Sequence, residues 1–200
     1  MAAPWQPLLD WWFGPSSQAA EVVAQKHGLW FAKRTTQDAE ARERFGVFVA
    51  EALAGGLDDW CAEPEGWLAL LLLLDQLPRM IHRDTPRAFA GDARARELAL
   101  AGLAAGREAQ LPAIRQVFVY LVLEHAEDLA LQDEAVRRFR QLHEQTAPAE
   151  LAAFAGFLDY AERHRVVIAR FGRFPHRNAI LGRPSTAAEQ AFLAEPGARF

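Results

Sequence analysis

Residues 64–79 read PEGWLALLLLLDQLPR, and this stretch decides the fold. From Trp67 to Leu74 every side chain is apolar, so no face is left for water. A segment that is apolar all round is a helix buried on every side. Pro64 suits the first turn of that helix, where a missing N–H costs nothing, and Pro78 is expected to break it after Leu77. The run is eight residues long, against the roughly 20 needed to cross a bilayer as a helix. It therefore predicts a core helix and no membrane partner. Such a helix needs a shell, and the rest of the chain has the composition to provide one. Ala and Leu number 39 and 25 against 10 Val and 4 Ile, a balance that favours helix because these side chains lose little rotamer freedom there. The expectation is an all-α protein, with residues 1–200 forming a single all-helical domain.

Proline, glycine and capping residues divide the chain into about nine helices. Pro4 to Phe13 forms a short aromatic helix stopped by Gly14-Pro15, and a second runs from about Ser17 to Lys26. Thr36 is expected to cap a third that ends at Gly55-Gly56, and Asp92 a fifth that reaches Ala105. Pro112 opens a sixth, to about Leu123. The seventh, about 127–145, shows His125, Leu129, Gln132, Val136, Phe139 and His143 on one face. The eighth runs from Pro148 to Phe171 and stops at Gly172. A non-helical loop over 173–184 follows, and Thr186 with Glu189 forms a capping box for a last short helix. Consecutive pairs suggest a helical array, but no fixed period of about 30 to 50 residues emerges. All six Trp (5, 11, 12, 30, 60 and 67) lie in the first third of the chain, expected as core.

The net charge of −4 does not advertise a nucleic acid or an anionic membrane as partner. Phe171 and Phe174 alternate with arginines, yet no nucleic-acid motif accompanies them. One cysteine, Cys61, cannot form an internal disulfide, and Met-Ala-Ala-Pro-Trp is not a secretory leader, so a reducing cytoplasm is expected. Nucleophile motifs are missing: three serines lie outside any GxSxG elbow, and Cys61 sits among acids that raise its pKa. Neither a glycine-rich phosphate loop nor a dinucleotide fingerprint is present. Metal-ligand spacing is poor, because neither His143 nor His164 has Glu three residues before it and HExxH is missing. No cofactor and no metal are expected, and the oligomeric state is not readable.

Polar chemistry concentrates in three places. Asp75 and Gln76 end the apolar run, where an ionised carboxylate needs a partner, and Arg79 at i+4 is the nearest. Five acids (Glu124, Glu127, Asp128, Asp133, Glu134) lie between Arg115 and Arg137 with no positive residue. Six arginines (163, 165, 170, 173, 177, 183) lie over 163–183 with no acid. Opposite blocks in one small chain most simply neutralise each other, and the arginine fork matches carboxylates in pairs. If part of the arginine set stays uncompensated, Arg170, Arg173, His176, Arg177 and Asn178 can present donors to a small anion. His125 beside Glu124 or Asp128 is the minimal apparatus for acid/base chemistry.

The strings WWFG (11–14), LDQLPR (74–79), TPRAF (85–89), EHAEDLA (124–130), RFGRFPHRN (170–178) and LGR (181–183) resemble those of a bacterial family of unknown function, number 924, over nearly the whole chain. The resemblance implies antiparallel helix pairs in a tetratricopeptide-repeat-like array and no established activity. One departure is visible. Where the family pattern is Pro-x-x-His-Ser-Glu, this chain has Val122-Leu123-Glu124-His125-Ala126-Glu127, so a serine acting at that position in other members has no counterpart here, which weakens a serine-based reading.

Three functions are then open. The first is a binding module in which Asp75, Arg79, His82, Glu124, Glu127, Arg170, Arg173, Arg177 and Asn178 converge on a small anionic ligand or a peptide end. The second is a hydrolase or other acid/base enzyme with His125, Asp128 or His176 as catalytic candidates. The third is a structural polar network without ligand.

Overall fold

The computed structural model describes residues 3–198. Met1 and Ala2 of the expected leaderless start lie outside the described residues. Ten α-helical segments are present among them, with no strand: α1 (Gln6–Phe13), α2 (Ala19–Phe31), α3 (Thr35–Leu53), α4 (Pro64–Leu71), α5 (Leu77–Ile81), α6 (Asp92–Ala104), α7 (Ala113–Glu124), α8 (Leu129–Gln145), α9 (Leu151–Phe171) and α10 (Ala187–Leu193).

Pro78 does not end the central helix. Between α4 and α5 the chain makes a π turn, Leu72–Gln76, and the Leu77 N–H bonds the Leu72 carbonyl five residues back. Widening the helix by one residue makes room for a proline ring that would otherwise meet the carbonyl four residues earlier. The rod therefore runs on from Pro64 to Ile81, and Asp75 lies on the wide turn. From Leu68 to Leu74 no side chain is more than 1% exposed. Around this rod pack α3, α6 and α7, while short connections return α8 along α7 and α9 along α8.

Two glycines permit the closest approaches to the rod. At Gly102 a Cβ would stand 2.2 Å from Trp67, whose indole lies against α6 and donates to the Leu98 carbonyl at 2.9 Å. At Gly91 a Cβ would stand 2.2 Å from the Leu74 carbonyl oxygen. The first turn of α6 is thereby pressed onto the π turn.

Most aromatic side chains of the N-terminal third are core, while Phe31 is exposed. Phe118 of α7 collects Trp12, Phe13 and Trp30 at centroid distances of 5.5, 5.3 and 4.8 Å, edge-on as ring quadrupoles prefer. Five of the six Trp are buried and Trp5 is half-buried.

Several boundaries differ from the expected ones. α2 continues through Gly28 to Phe31. α3 begins at Thr35 with Arg34 at its N-cap position, and Thr36 does not cap it. Asp92 is the first residue of α6 but caps nothing, because arginines take its carboxylate. His125 closes α7 and does not share a face with His143. α8 starts only after Asp128, whose side chain accepts from the Leu131 N–H at 3.1 Å. The Thr186–Glu189 capping box is present, and Gly172 ends α9 with φ +70°.

Candidate functional site

The π turn, the end of α7, the start of α6 and the loop after α9 meet in one polar cluster. Asp75 is 1% exposed. Its two carboxylate oxygens lie 2.8 and 2.9 Å from His125 Nδ1, one accepts from Gln76 Nε2 at 2.6 Å, and Arg79 Nη1 is 3.1 Å away. Arg79 also grips Asp92 with both terminal nitrogens, at 2.9 and 3.0 Å. Arg177 reaches the same Asp92 from the far end of the chain, at 3.3 Å.

The contacts close into a circuit. The Arg177 guanidinium lies 4.5 Å from the Phe174 ring centroid and 4.8 Å from that of Phe89. Phe174 stands 5.5 Å from the His164 ring, which stands 6.3 Å from that of His125. His164 Nδ1 is 3.0 Å from the buried Glu124 and 2.8 Å from the Tyr160 carbonyl. Solvent reaches the cluster at His125, Arg79 and Asp92, whose side chains are 17, 19 and 24% exposed. Two surface grooves lie elsewhere. One, of about 340 Å³, is lined by Val166, Val167 and Phe192, and the other, of about 520 Å³, by Lys26, His27 and Arg34.

The loop is held by a second set of bonds. Glu127 takes the Arg183 guanidinium at 2.6 and 2.8 Å and the Phe174 N–H at 2.8 Å. Asn178, fully buried, accepts from Arg183 Nε at 3.0 Å and donates to Ser185 Oγ at 3.1 Å. Gln132 donates to the carbonyls of Glu124 and Ala126 at 2.5 and 2.8 Å and fixes the turn between α7 and α8. These contacts set the Phe174–Arg177 turn against the acidic middle of the chain.

Burial and neighbouring charges set the protonation states. Burial opposes the charge of Asp75, but Arg79 and His125 outweigh it and hold the carboxyl at about 2. Burial, with the charge of Arg79, pushes His125 down against the pull of Asp75. For His176 burial and Arg177 act together and bring it to about 3, so it is neutral at pH 7. Burial followed by repulsion from Arg79 lowers Arg177 to about 10, only partly offset by Asp92. Glu127 lies low because the Arg183 and Phe174 hydrogen bonds exceed its burial cost. Burial raises the thiol of Cys61, the opposite of an activated nucleophile.

The structure thus brings together Asp75, Arg79, His125, Glu124, His176 and Arg177, with Glu127 and Asn178 in the supporting loop. It does not bring Asp128, which is exposed and caps α8. Arg170 lies over the rings of Phe171 and Phe192, and Arg173 is held by Glu189 at 2.6 and 2.9 Å. His82 stands at the end of α5, where burial, followed by the charges of Arg87 and Arg42, lowers its pKa. The opposite charge blocks meet at Glu127–Arg183 and Asp133–Arg165, whereas Glu134 pairs inside its own helix. Sequence reasoning missed Asp92, whose place at a helix start reads as a cap, and His164, whose apolar neighbours read as core. The aromatic walls Phe89 and Phe174 lie in the motif strings TPRAF and RFGRFPHRN, but nothing in those strings says that their rings meet Arg177. Among the described residues no three His, Cys, Asp or Glu side chains are arranged to hold a metal ion, and no helix is long and apolar enough to cross a membrane.

Fold and site define an all-helical protein that buries an arginine, histidine and carboxylate circuit beside a π turn. Residues 8–197 match the model of a bacterial protein family of unknown function, DUF924, and the chain belongs to that family. It is also similar to the solved structure of a protein of unknown function from Agrobacterium tumefaciens, with 37% identity and a TM-score of 0.75, over 88% of this chain and 96% of that one. No curated protein matches it.

Proposed function

We propose that the circuit binds a small anion, with Arg177 as its principal ligand and Arg79 as the second cation. The observation that carries this is the state of the Arg177 side chain. The residue is 6% exposed, its one hydrogen bond to Asp92 is long at 3.3 Å, and its Nε is buried without a hydrogen-bond partner. A buried guanidinium with donors unfilled is costly. An incoming phosphate or carboxylate oxygen would fill them and restore the pKa that burial and Arg79 depress.

Packing supports a fixed position for the guanidinium, which lies against the rings of both Phe89 and Phe174. The stacking of α7, α8 and α9 on one another fits a tetratricopeptide-like array, and the free Cys61 fits a reducing cytoplasm.

Thermal unfolding in a panel of sodium phosphate, sulfate and acetate at constant ionic strength tests the reading. At least one anion raises the Tm of the wild type in a saturable manner and leaves Arg177→Gln unmoved. Equal shifts in both proteins, or none in either, leave a structural network without ligand as the function of the circuit.

A further inference from the structure

We propose that His125, set in place by Asp75, is the proton acceptor of a hydrolytic site whose substrate is an ester of the small anion bound at Arg177. The inference rests on the anion reading above and adds a chemistry to it.

The tautomer follows from the contacts. Both Asp75 oxygens are within hydrogen-bond distance of His125 Nδ1, and that carboxylate is ionised and has no proton to give. The Nδ1–H of His125 must therefore donate, which leaves the lone pair of the neutral ring on Nε2. Burial and Arg79 keep the ring neutral, the form in which it accepts a proton. Asp75 touches no ligand in this scheme and is a positioning residue. Arg79 and Gln76 also contact the Asp75 carboxylate, so His125 is one of three partners that hold it. The placement of Asp75 on a π turn fits, because such turns recur at functional sites.

The position of His125 fits as well. Its side chain is 17% exposed and lies next to Arg79, and the circuit of contacts leads from it in both directions to Arg177. The residues of the circuit include no Ser, Thr or Cys, so the nucleophile is water. An O–H bond of that water breaks and its proton joins His125 Nε2. The electron pair stays on oxygen, which bonds to the phosphorus of the ester, or to its carbonyl carbon as the C=O π pair moves onto the carbonyl oxygen and returns when the leaving group departs. The imidazolium is stabilised by Asp75 through Nδ1–H. The bond to the leaving oxygen then breaks, and that oxygen takes the proton back from Nε2. Products are the free anion and an alcohol, with no oxidant or reductant involved.

The test uses the ¹⁵N-labelled full chain. Two-bond ¹H–¹⁵N spectra, assigned with His125→Gln, are recorded across pH with and without inorganic phosphate, and hydrolysis of p-nitrophenyl phosphate and p-nitrophenyl acetate is followed in parallel. Expected are a neutral Nδ1–H tautomer of His125 at pH 7, a rise in its apparent pKa on adding phosphate, and hydrolysis that His125→Gln lowers by about 100-fold. Asp75→Asn shifts the tautomer populations and lowers kcat with little change in KM, which a purely structural role would not do. A protonated His125 or an Nε2–H tautomer at pH 7, in a protein that still binds phosphate, overturns this inference and leaves the anion site standing. Phosphate binding without hydrolysis of either ester does the same. Failure of phosphate to bind at all removes the anion reading and this inference with it.

Discussion

Two regions of the molecule are buried to a similar depth and held by opposite means. Around Phe118, Trp12, Phe13 and Trp30 meet edge to face, and the Trp30 indole donates to the Trp12 carbonyl at 3.0 Å. Around Asp75 the groups are charged, and a local pair, Asp75–Arg79, is joined by partners from distant parts of the chain. Removal of apolar area from water stabilises the first region directly. The second must recover the desolvation of its ions, so a buried ion network is weak evidence for stability and a better place to look for function.

The contrast is broken most severely at its apolar pole. Phe118→Ala is expected to lower the unfolding free energy in urea by about 3–5 kcal/mol through lost burial and the cavity left behind, while any anion response of the folded protein stays unchanged. At the junction of the two regions, Gly91→Ala places a methyl against the Leu74 carbonyl. A cost of about 1–3 kcal/mol is expected. Because α6 must back away from the π turn, Asp92 then loosens from Arg79, which the same urea titration combined with a phosphate titration will show.

A smaller effect separates the regions by pH. His176 is held at about 3 when folded, below its ordinary value of 6.5. The folded protein therefore binds this proton more weakly than the unfolded chain. Its contribution is whole above pH 6.5 and is lost as pH falls from 6.5 towards 3. The slope of stability against pH in that window should flatten in His176→Gln. The smallest effect belongs to an exposed pair, Arg140–Glu162, with both side chains about half exposed. Arg140→Ala should change stability by no more than about 0.5 kcal/mol, and less at high salt.

Much of the fold is legible in the sequence because apolar periodicity and helix stops are local signals. The all-round apolar run from Trp67 to Leu74 marks the central rod, and Gly172 and the Thr186–Glu189 box mark helix ends where they occur. Pro78 misleads, because a π turn is a backbone response to packing that no residue type announces. In the site, Asp75 with Arg79 is legible from i, i+4 spacing on one helix. Arg177 with Asp92 spans 85 residues and Asp75 with His125 spans 50, so only tertiary packing brings them together. Asp128 was a plausible partner for His125 by proximity in the chain, but its oxygen is taken by the nearer Leu131 N–H.

The central claim is that Arg177 is buried for a ligand and not for the fold, and it is tested most directly by comparing wild type with Arg177→Met in urea, with and without inorganic phosphate. If Arg177 holds an anion, the variant stays within about 1 kcal/mol of wild type in phosphate-free buffer, because the guanidinium it lacks was poorly compensated. Phosphate then stabilises the wild type and not the variant. A wild type indifferent to phosphate, together with a variant that loses about 3 kcal/mol or more, would show that the arginine serves the architecture alone.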